Sequence, residues 1–572
     1  MNDIRRTVLW VIFGFSMVLL WDQWQVYNGH KATFFPKPEV KAEAASNQAA
    51  SVGASATATQ GVPSPSAAQT AVPAQGLPSG AGAAPNTPPV ARQTVDVQTD
   101  VLKLRFDSEG ASITRAELLK HRNDQHPNEN VVLFDETKDR VYLAQSGLIG
   151  PVGVNWPTHK TPMRLRAGPK ELKDGQNELQ LVFESAEQDG IQLIKTFTLK
   201  RGSYEIDVRH DIENRSNQAR APQLYVQLVR DGNKPAGESS FYSTFTGPAV
   251  FTDTQKYQKI EFEKIKKKSA EYEKTATSGY IAMVQHYFAS AWLLPDGMKR
   301  DIALDAVDIG ATTPDCCYRA TLIAPLQEMQ PGASAHANAK LYVGPQEEKK
   351  LEAIYPGLEL VKDYGWLTIL AKPLFWLLDQ LYTVLQNWGW SIVALVVLLK
   401  AAFYWLNAQA YRSMAKMKAI NPRIMEMRER LKDNPQQMQM EMMKIYREEK
   451  VNPMGGCLPI VVQIPVFIAL YWVLLSTVEM RNAPWLGWVH DLAAPDPFFI
   501  LPLLMTGTTL LQTWLNPTPP DPVQAKMMWI MPLAFSVMFF FFPSGLVLYW
   551  LTNNILSIAQ QWMINKQLGV IN

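Results

Sequence analysis

Residues 390–409, WSIVALVVLLKAAFYWLNAQ, are apolar over the length of a membrane-spanning helix and carry one charge, Lys400, near the middle. A helix needs about 20 mostly apolar residues to cross the hydrocarbon layer of a bilayer. A charge in such a segment is costly unless it faces water or a partner. The carboxyl end of the segment is roughly 15 Å of helix away, farther than a lysine stem reaches by snorkelling. We therefore expect a membrane helix whose lysine faces a water-filled space.

Four further apolar segments follow this one along the chain. Together the segments predict five spans, at about residues 388–409, 457–479, 498–515, 527–542 and 544–563. Some are shorter than a bilayer usually requires, which indicates local thinning of the membrane or tilted neighbours that cover the helix ends. The sequence thus predicts a polytopic α-helical core over residues 387–565.

The amino terminus predicts one more span. Arg5 and Arg6 precede an apolar stretch at residues 8–21, and no small-residue cleavage site follows it. A cleavable signal peptide needs such a site directly after its apolar part. We therefore expect residues 1–24 to form an uncleaved signal anchor, which brings the predicted number of spans to six.

Charge asymmetry predicts the orientation. Residues 411–450 carry ten Lys and Arg against six Asp and Glu, whereas residues 480–497 contain one Arg. Loops rich in Lys and Arg stay in the cytoplasm. With six spans, this places both termini in the cytoplasm, and it places residues 25–386 on the other side of the membrane.

Residues 25–91 are predicted to be a disordered linker. Their main part, residues 42–91, is rich in Ala, Pro, Ser, Gly and Gln and has one charge, Glu43, and no aromatic residue. Such a composition buries too little apolar surface to offset the entropy cost of ordering. The expected role of the linker is reach, because it would tether the following domain to the anchor.

Residues 92–345 are predicted to be an all-β domain, here called the β-domain. Apolar and polar residues alternate at residues 179–183 and 204–208, and turn signals such as Asp189-Gly190 and Arg201-Gly202 separate the runs. Many short strands with few helical patterns favour a sandwich. Six of the eight histidines lie here, none in a metal-ligand spacing, so we interpret them as structural.

Residues 346–386 connect the β-domain to the core. Leucines recur at helical spacing between Leu370 and Leu385, while Lys372, Pro373 and Asp379 interrupt the apolar pattern. A helix with one apolar face and such charges is typical of the membrane interface. The alternative, a further transmembrane helix, would leave no turn before the span that begins near residue 387.

Polar residues inside the predicted spans are concentrated toward the cytoplasmic side. They include Gln463, Thr506, Thr509 and Asn553, whereas the outer halves of the same spans are apolar. Because unpaired polar groups do not face lipid, we expect a wet cavity in the inner half of the core. For any single Ser or Thr, a hydrogen bond to its own helix is the simpler alternative.

The basic segment at residues 411–451 predicts a helical hairpin, with helices at about 411–433 and 436–450 and a break at Asn434-Pro435. Nine methionines lie within residues 411–454. Methionine is flexible and polarizable and suits varied apolar partners. Whether these methionines serve a partner or only pack the hairpin stays open at this point.

Overall composition excludes some function classes. A formal net charge of +2 is too small to indicate a nucleic-acid partner, and three cysteines are too few for a disulfide framework. Two other functions remain as alternatives. A secondary transporter predicts inverted repeats, and none is evident. A carbohydrate enzyme on a membrane anchor predicts a catalytic His and Glu set in the β-domain and leaves the helical core unexplained.

Three blocks of the core resemble a known family. Residues 452–472, NPMGGCLPIVVQIPVFIALYW, are similar to the signature at the start of the third span of bacterial YidC-type membrane protein insertases. Residues 387–391, NWGWS, and 542–549, FPSGLVLY, match two further blocks of that family. Anchor, linker, β-domain and core also follow each other as in the Gram-negative members. The resemblance covers essentially the whole chain.

The resemblance implies a function and a site. Members insert newly made membrane proteins into the inner membrane, alone or beside the Sec translocon, and use no cofactor, metal or catalytic residue. Their β-domain is a supersandwich, and their core holds a hydrophilic groove, open to the cytoplasm, with one essential positive charge. That charge is commonly Arg, and Lys400 stands at its position here, which keeps the charge but loses the planar fork.

Further site residues follow from the same resemblance. Gln463 matches a polar residue of the groove, and Tyr549, with Trp550 beside it, lies in a span that contacts substrate. The tail at residues 566–572 is short and holds one Lys. It lacks the long basic tail with which some relatives bind ribosomes, so we expect only weak ribosome binding.

Overall fold

The computed structural model describes residues 62–63, 92–124, 126, 128–166, 168–235, 244–308, 316–431, 434–449, 458–516 and 522–567. The predicted signal anchor, most of the predicted linker and residues 568–572 of the tail lie outside the described residues. The glycine-rich start of the family-like block at residues 452–472 lies outside them as well.

The β-domain consists of two nine-stranded sheets. Its strands are β1 (Thr94–Gln98), β2 (Leu102–Asp107), β3 (Ser112–Arg122), β4 (Asn130–Glu136), β5 (Val141–Ile149), β6 (Met163–Leu165), β7 (Glu178–Ser185), β8 (Ile191–Lys200), β9 (Glu205–Asn214), β10 (Gln223–Arg230), β11 (Gly247–Thr252), β12 (Lys256–Lys259), β13 (Thr275–Ala276), β14 (Tyr280–Gln285), β15 (Phe288–Leu293), β16 (Arg300–Ala306), β17 (Tyr318–Pro325) and β18 (Ser334–Pro345). The first sheet has the order β1-β2-β3-β4-β5-β10-β17-β16-β13, and the second has the order β12-β11-β14-β15-β18-β9-β8-β7-β6.

The two sheets pack face to face over one apolar core. Leu179, Leu181 and Phe183 alternate toward this core along β7, as the period of two in the sequence predicts. Phe106 of the first sheet lies with its ring centroid 5.5 Å from that of Phe183 and 4.9 Å from that of Phe197 in the second sheet. The prediction of a β-rich domain built as a sandwich is therefore confirmed.

The rest of the described chain is helical. The helices are α1 (Phe262–Lys266, within the β-domain), α2 (Glu348–Ile354), α3 (Thr368–Leu385), α4 (Trp388–Ala402), α5 (Tyr404–Arg430), α6 (Pro435–Glu448), α7 (Leu458–Ser476), α8 (Ile500–Leu515), α9 (Pro522–Met538) and α10 (Ser544–Gln567). Short 3₁₀ helices lie at Leu358–Val361, Gly365–Leu367, Val478–Met480 and Phe539–Phe541. We call α2–α10 the helical region.

Helix α10 is the centre of the helical region. It packs against α4, α5 and α8, while α3 packs against α4 and α7, and α9 packs against α8. One apolar cluster joins α3, α4, α7, α8 and α10, with buried members such as Leu378, Ile392, Val473, Met505 and Leu548. The helices that carry the predicted site residues therefore share one core.

The segment predicted as a span at residues 388–409 is not one continuous helix. Helix α4 ends at Ala402, and α5 continues at an angle of 69°. The side chain of Gln560 in α10 donates a hydrogen bond to the main-chain oxygen of Tyr404 at 3.2 Å. A side chain that binds the backbone from outside is a recognised cause of a bend, and this partner is distant in sequence.

Span length gives a further result. Within the part of the chain that the structure describes, no single helix is long and apolar enough to cross a membrane alone. The bent pair α4 and α5 is long and apolar enough when taken together, and shorter apolar helices cover Gln463–Ser476, Ile500–Leu515 and Ala525–Phe541. The predicted count of six spans therefore stays a prediction.

Two helices stand where the sequence predicts a helical hairpin, and the first begins at Tyr404, before the predicted start at residue 411. Helices α5 and α6 pack together through buried Ile420, Ile424 and Ile445. Asn434 caps α6 by accepting a hydrogen bond from the main-chain nitrogen of Gln437, and the proline after it stands at the first helical position, where it is tolerated. The methionines of the hairpin form two groups. Some pack inside the hairpin (Met417, Met427, Met438, Met442), and others are exposed, where they are accessible to a partner (Met425, Met440, Met443).

Helix α3 has apolar residues on two sides. Ala371, Phe375 and Leu378 are buried against the helical core, whereas Ile369 and Trp376 are exposed. The charged residues of this helix are paired with the segment that precedes it, since Lys372 lies 3.7 Å from Glu359 and Asp379 lies 2.5 Å from Lys349. The exposed apolar side therefore faces away from the rest of the chain.

The β-domain and the helical region contact each other directly. Arg481, after α7, has a buried side chain that donates to the main-chain oxygen of Arg122 at 2.9 Å and pairs with Asp124. His286 of the β-domain donates to the main-chain oxygen of Leu475 at 2.9 Å. The end of α7 is thus fixed to the β-domain by polar contacts.

Candidate functional site

Helix α4 places Lys400 in its last turn rather than at the middle of a span. The helix begins at the cap residue Asn387, whose side chain accepts from the main-chain nitrogen of Trp390 at 3.0 Å. A positive side chain in the last turn is favourable beside the free carbonyl groups of a helix end. The bend after Ala402 therefore decides where the charge sits.

Lys400 is half-buried and is held by a short chain of hydrogen bonds. Its Nζ atom donates to Ser557 Oγ at 2.7 Å, and Ser557 Oγ donates in turn to the main-chain oxygen of Asn553 at 2.7 Å. Both partners lie in α10. Because the hydroxyl gives its proton to a carbonyl group, its oxygen is oriented to accept from the ammonium group.

A second polar pair lies beside this chain. Gln463 of α7 donates through Nε2 to Asn553 Oδ1 at 3.0 Å. Asn553 is therefore linked to Gln463 by its side chain and to Lys400, through Ser557, by its main chain. Side chains from three helices thus converge on one point of α10.

A cavity of about 30 Å³ lies at this point, with room for one or two water molecules. It includes four of the predicted site residues: Lys400, Gln463, Tyr549 and Asn553. The other lining residues are Val396, Leu399, Phe403, Leu406, Asn407 and Val466. The cavity therefore combines one cation and a few neutral polar groups with apolar walls.

Thr506 and Thr509 lie elsewhere. The Thr506 hydroxyl donates to the main-chain oxygen of Pro502 at 2.8 Å, and the Thr509 hydroxyl donates to that of Met505 at 2.8 Å. These are bonds within α8, the simpler alternative for such residues. Thr509 also accepts from Asn554 Nδ2 of α10 at 3.0 Å, so it contributes to helix packing. Neither threonine lines the cavity.

Trp550 does not line the cavity either. Its ring is stacked on that of Phe467 with centroids 4.6 Å apart, and it meets Phe539 edge to face at 4.0 Å. Phe467 also lies 6.1 Å from Tyr549, which does line the cavity. An aromatic cluster from α7, α10 and the 3₁₀ helix at Phe539–Phe541 therefore borders the polar site.

Neither Asn407 nor Ser557 was among the residues that the sequence predicts for the site. Asn407 follows Lys400 by seven positions, a spacing that brings residues to one side of a helix. That spacing could have identified it, but the assumption of a straight span made Asn407 a residue of the helix end. The contact between Lys400 and Ser557 joins residues 157 positions apart, and no local pattern indicates it.

The arrangement can attract and hold an anionic group. None of the ten residues that line the cavity is Asp or Glu, so no carboxylate among them neutralises Lys400. Apolar walls reduce screening and strengthen the attraction of a cation for an acidic partner.

Matches to protein families and to known proteins cover almost the whole chain. The family model described as the YidC periplasmic domain matches residues 94–377, and the one described as a 60Kd inner membrane protein matches residues 380–569. The membrane protein insertase YidC of Ralstonia nicotianae is 54% identical over 571 residues, which cover 99% of this chain and 98% of that protein. The protein of the same name from Cupriavidus taiwanensis is 52% identical over 568 residues, with 99% and 98% covered.

Solved structures show weaker similarity. A crystal structure titled as an active YidC insertase, with its first transmembrane domain resolved, has a TM-score of 0.38 and 18% identity and covers 82% of this chain and 91% of its own. A galactose mutarotase related enzyme from Lactobacillus acidophilus has a TM-score of 0.29 and 8% identity, with 44% of this chain and 97% of its own covered. The family models and the full-length relatives settle the family: this chain belongs to the YidC family of membrane protein insertases.

Proposed function

We propose that this chain inserts newly made membrane proteins into the bacterial inner membrane and helps them to fold. The observation that carries this proposal is the similarity of more than 50% identity, over nearly the full length, to curated relatives named as membrane protein insertases. The polar cavity around Lys400 supplies a place for the first step. The proposal contains no covalent step and needs no cofactor, so the protein acts as an insertase and chaperone rather than as an enzyme.

The proposed mechanism begins with attraction. A hydrophilic segment of the substrate enters from the cytoplasm, and Lys400 attracts its acidic residues in weakly screened surroundings. The apolar segment of the substrate then passes along α7 and α10 into lipid, where transfer of its apolar surface supplies the driving force. The membrane potential adds a force on negatively charged residues that move outward. Tyr549 and Trp550 are the proposed contacts for the moving segment.

Residues near Lys400 support the groove in this proposal. Gln463 and Asn553 hold each other beside the charge and keep polar groups available at the cavity. Thr506 and Thr509 were predicted to line the same groove, and their bonds within α8 make them supports of the helix wall instead. The apolar and aromatic residues around Trp550 are proposed to close the groove on the outer side.

The proposed topology has six spans. Residues 1–24 anchor the chain, residues 25–91 link it to the β-domain at 92–345, and residues 346–386 lie along the membrane interface. The five remaining spans fall within residues 387–565, and the hairpin at 411–451, the tail at 566–572 and both termini face the cytoplasm. The basic composition of residues 411–450 and the exposed apolar side of α3 support this arrangement.

The proposed partners follow from this role. They are nascent membrane proteins, the lipid bilayer, the Sec translocon in a shared mode of insertion, and the ribosome. Exposed methionines of the hairpin, such as Met440 and Met443, offer an adaptable apolar surface for a partner on the cytoplasmic side.

The proposal can be tested by crosslinking to a stalled nascent chain. A photoreactive amino acid at position 399, where Leu399 lines the cavity, should crosslink to a membrane-protein substrate stalled on the ribosome. The matched control is the same amino acid at position 398, because Leu398 is exposed on α4 and does not line the cavity. Crosslinks of equal yield at both positions, or none at 399, would contradict a substrate path through the cavity.

A further inference from the structure

An apolar patch lies on the outer face of the first sheet, on its three central strands. Strands β5, β10 and β17 pair antiparallel in this order. Leu148, Leu224 and Leu322 point into the sandwich core. Their chain neighbours therefore point to the opposite face, because side chains alternate along a strand. These neighbours are Ile149, Tyr225 and Ile323, and they form an apolar cluster separate from the core, here called the outer patch.

The outer patch is covered. Ile149, Tyr225 and Ile323 have only 4%, 0% and 5% of their surface exposed, although they face away from the core. Val62 packs against them, and Pro63 beside it is buried. The hydroxyl end of Tyr225 is covered separately by His159, whose main-chain nitrogen donates to it at 2.9 Å. Val62 comes from the predicted linker, far upstream of the first strand. The expectation that the whole linker is disordered is therefore wrong at these two residues.

The chemistry of the outer patch matches a short apolar segment. On the same face, one row along the strands, a polar pair replaces the apolar side chains: Gln227 donates through Nε2 to Gln145 Oε1 at 2.7 Å. The linker segment is complementary, because Val62 and Pro63 stand between Gly61 and Ser64. Val and Pro also lose little side-chain freedom when they are ordered, so a small contact can hold them.

We propose that the outer patch is a docking site for the linker of the same chain, which binds there through Val62 and Pro63. The linker is then pinned to the β-domain partway along its length. If residues 1–24 anchor the chain as proposed above, only residues 25–61 remain as the free tether. For a flexible chain this reduces the root-mean-square reach from roughly 45 Å to roughly 33 Å, for about 67 and about 37 residues. The docking itself does not depend on the proposed function.

A crosslinking experiment on the full chain in membranes tests the docking. The three native cysteines are replaced by serine, and the pair Val62→Cys and Ile323→Cys is compared with the pair Ser79→Cys and Ile323→Cys. A short thiol-specific bifunctional reagent joins cysteines that meet. Ser79 is closer to the β-domain along the chain than Val62 is, so a free linker would bring position 79 to the patch at least as often.

The expected result is the reverse of that for a free linker. Docking should make the crosslink from position 62 about tenfold faster than that from position 79. Burial of about one small apolar side chain is enough to raise the population of the docked state by this factor. Both pairs share Ile323→Cys, so any effect of this substitution on the fold cancels. An equal or slower rate at position 62 would overturn the proposal. A crosslink that joins two chains would overturn it too, because it would assign the patch to a second copy.

A second variant separates docking from chance proximity. In a protein with Pro63→Cys and Ile149→Cys, the further substitution Val62→Asp should slow crosslinking about tenfold, because a carboxylate cannot be buried on the patch without a partner. Ser79→Asp in the same protein is the matched control and should leave the rate unchanged. If Val62→Asp has no more effect than Ser79→Asp, the linker is not held by the patch.

Discussion

Two lysines occupy opposite situations in the two regions of this molecule. Lys195, in strand β8, is fully buried between the sheets, and its Nζ atom donates to the main-chain oxygens of Gly110 at 2.6 Å and Ser146 at 2.7 Å. Lys400, in the helical region, donates to Ser557 Oγ at 2.7 Å and lines a cavity. One ammonium group is enclosed by the fold, and the other borders open space.

The difference separates a lysine enclosed by the fold from the lysine that is proposed to act in insertion. Burial lowers the pKa of Lys195 to about 7, and two main-chain carbonyl groups accept from its Nζ atom, which matches the two N–H donors of the neutral amine. Arg300 is similarly enclosed, with bonds to main-chain oxygens such as those of Gly279 and Leu294. A buried charge whose donors are all taken by the backbone has nothing to offer a ligand. Lys400 retains donors that can face the cavity.

The largest expected effect is the loss of insertion when Lys400 loses its charge. Lys400→Ala and Lys400→Glu should reduce insertion at least about tenfold for a substrate with acidic residues in its translocated segment, because the attraction is removed or reversed. Lys400→Arg should keep most of the activity. Insertion is measured in reconstituted vesicles at equal protein levels, with a substrate whose acidic residues are neutralised as a control. Full activity of Lys400→Ala on the acidic substrate would remove the electrostatic step from the mechanism.

The second prediction concerns acid and the β-domain. Burial, with a smaller contribution from the charge of Lys195, lowers the pKa of both His159 and His210 to about 3. Both are then neutral in the folded domain, while the unfolded chain binds protons below about pH 6.5. The contribution of the two histidines to stability should therefore be fully present above that pH and be lost as the pH falls toward 3, by about 2 kcal/mol per histidine at pH 5.

Urea unfolding of the β-domain within the full chain, followed between pH 7 and pH 5, checks this prediction. His210→Asn should reduce the dependence on pH, whereas the same substitution at the exposed His336 serves as the matched control. Unfolding that is equally resistant at pH 5 and pH 7 would contradict the neutral, buried state of the two histidines.

A smaller effect is expected at the contact between the two regions. Arg481→Ala removes the bond to Arg122, the pair with Asp124 and the position of the guanidinium group 5.2 Å from the ring of Phe288. The cost should be about 2 kcal/mol of unfolding free energy, because the Arg481 side chain is buried. Thermal unfolding in detergent micelles measures it, and Arg215→Ala, at an exposed ion pair, is the control. Equal melting temperatures for the two variants would show that the regions are not joined by this contact.

The smallest effect on insertion is expected for Lys195→Met, which would sharpen the contrast with Lys400. Insertion should be unchanged, since the side chain of Lys195 is fully buried and cannot contact a substrate. Because the pKa is lowered from 10.5 to about 7, the folded domain releases a proton that the unfolded chain keeps, and stability should rise as the pH increases from about 7 to about 10. The variant should lack this rise in urea unfolding. A loss of insertion in a variant that is folded and stable would show that enclosure does not make a charge structural.

The sequence alone determined the local elements. Alternation with a period of two predicts strands such as β7, because every second side chain of a strand points toward the core. The turn residues mark where one strand ends and the next begins. Asn434 and Pro435 predict the start of α6 through capping and a fixed backbone angle, which depend only on near neighbours. Lys400 can also be singled out from sequence, because an isolated charge in an apolar stretch needs a reason.

Only the tertiary structure decided how these elements meet. The bend after α4 involves Gln560, which reaches Tyr404 from 156 positions away, and the bend moves Lys400 from the middle of a helix to its last turn. Thr506 and Thr509 look equivalent to Gln463 in sequence, yet their hydroxyl groups donate within their own helix, and neither lines the cavity that Gln463 lines. Two linker residues rest on a sheet face that forms from strands far apart in the chain. Such contacts depend on how helices and sheets pack, and the spacing of residues along one element carries no information about its neighbours.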